Sequence, residues 1–131
     1  MNYCDIYNKS ITSSEEFWKE QANQLEFWYN LPSNILSTDK NGYPLWFADG
    51  NLNACYLAVD KHIQDGYGEQ VAIIYDSPVT QTVKKYTFNE VKTEVAKLAG
   101  GLLSLGLEKG DTAVFYMPMI PQAAFAMLAC A

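Results

Sequence analysis

The sequence predicts an α/β fold. It has an N-terminal helical and irregular arm over residues 1–70, then a β-hairpin and the start of a parallel sheet over residues 71–131. Three observations predict it. Apolar residues recur at helical spacing through much of the first half. Val71-Ala-Ile-Ile-Tyr75 and Thr112–Met117 are short, nearly continuous apolar runs of strand length. Between them a capping box opens a long amphipathic stretch. Residues 83–117 thus read as strand–helix–strand, the crossover that sets two strands parallel and right-handed.

Taken in order, Ser13 and Glu16 have the S-x-x-E spacing of a capping box. Trp18, Ala22, Leu25 and Tyr29 follow on one helix face, Glu15 and Lys19 can pair on the wet side, and the helix should stop before Pro32. Residues 31–51 carry Pro32, Asn41-Gly42, Pro44 and Gly50 and read as irregular. Their rings, Tyr43, Trp46 and Phe47, suit a segment that drapes over another surface and anchors by aromatic burial. Leu52, Tyr56, Val59 and Ile63 share the face of a second helix over about 52–65, with Gly66 and Gly68 ending it.

Val71–Tyr75 is a buried strand, 76–82 a loop, and Val83–Tyr86 the second arm of a hairpin. Thr87-Phe-Asn-Glu90 is another capping box. It opens a helix with Val91, Val95, Leu98, Leu102 and Leu105 on one face, and Gly106 stops it. Gly110-Asp111 turns the chain into the strand 112–117. Pro121 then starts an apolar helix that meets no Gly, Asn, Lys or Arg before Ala131. The expectation is the front end of a larger protein, in which open strand edges and the Ala123–Ala131 face find a partner or stay disordered.

Composition excludes several classes. Nine basic against fifteen acidic residues give a net charge of −6. A nucleic-acid surface needs clustered cations, and so does a polybasic membrane patch. The apolar run at 113–131 is split by Pro118 and Pro121, so strand, turn and buried helix fit it better than a membrane span. Cys4, Cys55 and Cys130 are odd in number and widely spaced, which fits a reducing, cytoplasmic setting. The N-terminal residues lack the apolar core of a signal peptide.

No constellation of catalytic side chains emerges, so catalytic, cofactor-binding and metal residues are all expected to be none. Gly66-Tyr-Gly68 follows a helix rather than a strand and reads as a helix stop, not a phosphate cradle. Gly100-Gly101 inside a helix suggests close approach of a neighbouring element. His62, the single histidine, stands seven residues from Cys55, about 10 Å along a helix, too far for one shared metal. Ser77, His62 and Asp60 can be drawn as a triad, but a helical histidine beside Asp60 and Asp65 is more often a surface residue. Glu15-Glu16 and Glu108 with Asp111 sit at a helix start and in a turn, where carboxylates stay solvated. Phe27-Trp28-Tyr29 without basic neighbours reads as core or docking surface.

Several strings do resemble a family. They are Trp46-Phe-Ala-Asp-Gly-Asn-Leu-Asn53, Ala58-Val-Asp-Lys-His62, Gly106-Leu-Glu-Lys-Gly-Asp111, Tyr116-Met-Pro-Met-Ile-Pro-Gln-Ala-Ala124 and Ala126-Met-Leu-Ala-Cys-Ala131. They are similar to the N-terminal part of short-chain, AMP-forming acyl-CoA synthetases. The Asp76–Thr82 loop is closer to the propionyl-CoA than to the acetyl-CoA synthetases. Asp49 stands where Gly is usual, Thr112 where Arg is, and Gln122 where Glu is. The resemblance implies a ligase that makes an acyl-adenylate from propionate or acetate and Mg-ATP, then passes the acyl group to CoA. It implies that ATP, Mg and CoA are held by residues beyond this segment, so the segment is a structural, inactive piece of a larger adenylate-forming domain whose partner is the rest of the ligase. The alternative is a stand-alone interaction module that binds a full-length ligase or self-associates through its unfinished sheet.

Overall fold

The computed structural model describes residues 2–131. The chain forms two compact units, one ending at Asn53 and one beginning at Ala54.

The first unit opens with helix α1, Tyr3–Thr12, and helix α2, Ser14–Asn23. Helix α1 has no counterpart in the sequence reading. Its start is a capping box built from Asn2 and Asp5: the Asp5 amide donates to Asn2 Oδ1 at 2.9 Å, and the Asn2 amide donates to Asp5 Oδ2 at 3.3 Å. The box expected at Ser13 is not formed. Ser13 is the residue at which α1 ends, and its amide donates to the Lys9 carbonyl. With φ −129° and ψ 52° it is bent to join two helices, so its hydroxyl caps neither. Lys9 and Glu20 pair at 2.5 Å between α1 and α2.

The helix expected to run on through Leu25 and Tyr29 stops at Asn23, and four short strands lie in and beside the segment read as irregular. Strand β1 (Trp28–Asn30) pairs antiparallel with β4 (Asn51–Leu52), and β2 (Leu36–Thr38) with β3 (Pro44–Trp46). Strands of two or three residues are too short to show a period in sequence, which is why they escape detection.

The second unit begins with a helix over 54–67 that is wound with π-type turns at Tyr56–Asp60 and Ile63–Tyr67. Gly66 breaks it at φ 89°, a left-handed value that glycine adopts without strain. Strands β5 (Val71–Ser77) and β6 (Thr82–Thr87) then form the expected hairpin. Helix α3 (Phe88–Ser104) starts on the expected capping box. The Glu90 amide donates to Thr87 Oγ1 at 3.2 Å, and the Thr87 amide donates to Glu90 Oε2 at 2.9 Å. It ends as a Schellman motif, with the Leu107 amide on the Leu102 carbonyl, the Gly106 amide on the Leu103 carbonyl, and Gly106 at φ 89°. Helix α4 (Pro121–Ala129) closes the unit.

The core gathers Val59, Tyr86, Val91, Val95 and Phe125. Each such burial contributes roughly 1.5–3 kcal/mol. Phe125 and Ala126 are 2% and 1% exposed. The apolar helix therefore packs on α3 within the chain.

The parallel pair is the part that the structure corrects. All three sheets are two-stranded and antiparallel among the described residues. Residues 112–117 run without turn or bend but join no ladder. Strands β5 and β6 pair only with each other, so each keeps an outer edge that 112–117 does not take up.

Candidate functional site

The most unusual surface of the second unit is this unpaired run. Its exposure alternates. Val114 and Tyr116 are at least 87% exposed, whereas Phe115 and Met117 are 39% and 40%. A period of two is the side-chain pattern of a strand with one covered and one open face. The Asp111 amide donates to the Glu108 carbonyl, and the Ile120 amide to that of Pro118. Between those two bonds the backbone makes no backbone hydrogen bond among the described residues. Met117-Pro118 consequently ends no sheet strand here.

Both ends of the run are fixed. Upstream stand the Gly106 stop of α3 and the turn at Gly110, whose φ is 99°. In that turn the Glu108 amide donates to Asp111 Oδ2 at 2.8 Å. Downstream, Pro121 occupies the first turn of α4 and Phe125 is buried against Tyr86, ring centroids 5.3 Å apart. An apolar segment with satisfied ends and an open backbone is a template for a further strand. Its mostly apolar side chains suit docking.

The first unit is held by rings and one carboxylate. Trp28 packs on Phe47 (6.2 Å), Phe47 on Trp46 (6.0 Å) and Trp46 on Trp18 (6.3 Å). The Trp28 indole N–H donates to the Ala22 carbonyl at 2.9 Å. So Trp28 is a packing residue rather than a base platform, while Tyr29 stays exposed. Asp49 collects donors. The Ser33 hydroxyl and amide lie 2.5 and 3.0 Å from Oδ2, and the Asn34 amide lies 3.2 Å from Oδ1. These bonds, the Ser33 hydroxyl first, hold the carboxyl down to about 2, against an ordinary 3.8. Nothing in the local sequence marks Asp49 as a hub, because its donors lie sixteen and fifteen residues away.

The other candidates separate. Asp60 pairs with Lys92 at 2.7 Å, and the His62 ring lies on Phe88 at 4.8 Å. Ser77 Oγ accepts the Thr80 amide inside the hairpin turn at 3.3 Å. Each has a structural partner of its own, so no triad forms. Burial pushes the Cys55 thiol up and the Asp60 carboxylate adds to this, so Cys55 is a poor nucleophile. Gly68 is a packing glycine: a Cβ there would lie 2.7 Å from Asn89 Nδ2. At Gly100 and Gly101 a Cβ would meet nothing within 4 Å, so among the described residues no element makes the close approach expected there.

Nor do these residues fit a nucleotide or Mg. Gly68 is covered by the Asn89 side chain, and its carbonyl accepts the Asn89 amide, so the turn is closed to a phosphate. Among the described residues, no group of three His, Cys, Asp or Glu side chains is placed to hold a metal ion. Among the described residues, no helix is long and apolar enough to cross a membrane.

Residues 61–131 match the family model for AMP-binding enzymes. The chain belongs to the AMP-binding enzyme family. Residues 3–58 match a second model, the acetyl-coenzyme A synthetase N-terminus. The chain is 51% identical over 129 residues to the mitochondrial acyl-CoA synthetase short-chain family member 3 of Homo sapiens, covering 98% of this chain and 19% of that protein. It is 40% identical to an acetyl-coenzyme A synthetase of Streptomyces coelicolor, again over 98% of this chain and 19% of the relative. In structure it is similar to an acetoacetyl-CoA synthetase from Streptomyces lividans, with a TM-score of 0.79, 27% identity, and coverage of 98% of this chain and 20% of that one. The chain thus spans about a fifth of the length of these relatives, and matches the N-terminal part of AMP-forming short-chain acyl-CoA synthetases.

Proposed function

We propose that this chain is the structural N-terminal segment of a ligase that activates a short-chain carboxylate with Mg-ATP and transfers the acyl group to CoA. The segment contributes an aromatic arm and one strand, and the chemistry is done by residues outside it. The observation that carries this reading is the straight, apolar, unpaired run 112–117, fixed at both ends in a chain of this family. The partner is the remainder of the ligase, which adds a neighbouring strand to that run.

Propionate is the proposed substrate before acetate. The Asp76–Thr82 loop, closer to the propionyl-CoA than to the acetyl-CoA synthetases, supports this order. Three free cysteines support a reducing, cytoplasmic setting.

The test is a chimera in which this chain replaces the matching N-terminal fifth of a short-chain acyl-CoA synthetase. ATP–pyrophosphate exchange driven by propionate or acetate is expected from the chimera and not from the isolated chain. Val114→Lys with Tyr116→Lys should cut the chimera's exchange at least about tenfold, as charges in a buried sheet do. Exchange by the isolated chain, or a chimera indifferent to the double substitution, overturns the reading. Substrate order is read by comparing propionate with acetate in the full-length enzyme that carries this chain.

Self-association is a second reading, favoured by the same open run. Size-exclusion chromatography with mass determination decides it; a concentration-independent monomer removes it.

A further inference from the structure

The β2–β3 connection contains the single Asn-Gly step of the chain, Asn41-Gly42. Both residues are exposed. In such a step the amide nitrogen of the glycine can attack the side-chain carbonyl carbon of the asparagine. A C–N bond forms, the bond to the side-chain nitrogen breaks, and ammonia leaves with the proton of the glycine amide. Water then opens the cyclic imide at either carbonyl, leaving aspartate or its β-linked isomer. The reaction consumes water alone and changes no oxidation state. Glycine favours it because no Cβ shields its nitrogen.

In this hairpin the step is fastened by Asp39. The Gly42 amide donates to the Asp39 carbonyl at 3.0 Å, which turns the would-be nucleophile toward Asp39 and away from its own neighbour. Asp39 Oδ1 accepts the Asn41 and Tyr43 amides, each at 2.8 Å. The Asn41 side-chain nitrogen, the group that would leave, reaches Asp39 Oδ2 at 3.5 Å. The Asp39 amide closes the loop on the Tyr43 carbonyl at 2.9 Å. Attack therefore requires the turn to open first.

We propose that Asn41 is a self-modification site, converted to a carboxylate by the Gly42 nitrogen at a rate set by the Asp39 clasp, and that the product unfastens the β2–β3 hairpin. The consequence follows from the same contacts. Conversion replaces an amide donor with a second carboxylate facing Asp39, so attraction becomes like-charge repulsion. The β-linked isomer also adds a backbone carbon beside the Thr38–Pro44 pairing, which breaks register. Trp46, paired with Leu36 in this hairpin, loses its support.

The experiment is peptide mapping of the chain by mass spectrometry during incubation at mildly alkaline pH. The parent chain should convert slowly at Asn41, and the urea-unfolded chain faster. Asp39→Ala removes acceptors that each shift an opening equilibrium about fivefold, so conversion at Asn41 should rise about fivefold or more. Asp39→Ser keeps a shorter acceptor and should fall between the two. Should Asp39→Ala lose the fold of its unit, Asp39→Ser decides the matter. Variant rates equal to or below the parent's overturn the clasp, and absence of conversion in the unfolded chain overturns the site. Asn41→Asp reproduces the product directly. Its Asp39 and Tyr43 amides should exchange hydrogen about fivefold faster, and unchanged protection overturns the unfastening.

Discussion

Phe125 meets Tyr86 edge to face at 5.3 Å, and this contact ties helix α4 to the hairpin strand β6. An edge-to-face pair adds about 0.5–1.5 kcal/mol to the burial of the rings themselves. Phe125 is also the largest fully buried side chain of the second unit. Phe125→Ala should destabilise that unit by about 3–5 kcal/mol, the range for an emptied aromatic site. Urea unfolding followed by far-ultraviolet circular dichroism measures it. A loss under about 1 kcal/mol would mean that α4 is not anchored by this ring.

Gly50 is a second close contact, in the first unit. A Cβ there would sit 2.8 Å from Trp28 Cζ3, with the Phe47 carbonyl at 3.2 Å and Pro32 Cβ at 3.3 Å. The indole cannot yield freely, because its N–H is bonded to Ala22. Gly50→Ala should cost about 1–3 kcal/mol as overpacking. It should also alter tryptophan emission, since Trp28 must shift. Unchanged emission and stability would show that the ring has room.

The reciprocal bonds between Thr87 and Glu90 predict a smaller and more local effect. Thr87→Ala removes the acceptor of the Glu90 amide, and should cost about 0.5–2 kcal/mol. Hydrogen exchange should quicken first at Glu90 and its neighbours in the first turn of α3. Uniform loss of protection along the helix would instead indicate that the cap governs the whole of α3.

This box could be read in the sequence because its two halves are three residues apart and no helix ends on them. The identical spacing at Ser13 misled because a helix already ends there, and Ser13 serves the join. The box of α1 was readable in principle, with Asn2 and Asp5 in place of Ser and Glu. The extended, apolar character of 112–117 was readable too, but pairing is a property of two segments, and one sequence window shows only one. The Asp49 cluster was hidden for a related reason: hydrogen bonds across fifteen residues leave no local pattern.

Asp49 gives the pH prediction. Its folded carboxyl titrates near 2 against an ordinary 3.8, because the Ser33 hydroxyl, the Ser33 amide and the Asn34 amide all donate to the ionised form. The folded value is the lower one, so between these limits the unfolded state binds more protons. The contribution to stability is then fully present above about 3.8 and is lost as pH falls toward about 2. It is small, since the group is solvent-exposed and screened. Thermal melts of the parent chain and of Asp49→Asn across that window should converge at the acid end and diverge above it, with the parent melting higher. The neutral amide offers the same donors an oxygen without charge, so the gap isolates the charged part of the cluster. Parallel curves across the window would place the folded carboxyl at its ordinary value, and would mean that Ser33 and Asn34 do not hold Asp49 in solution.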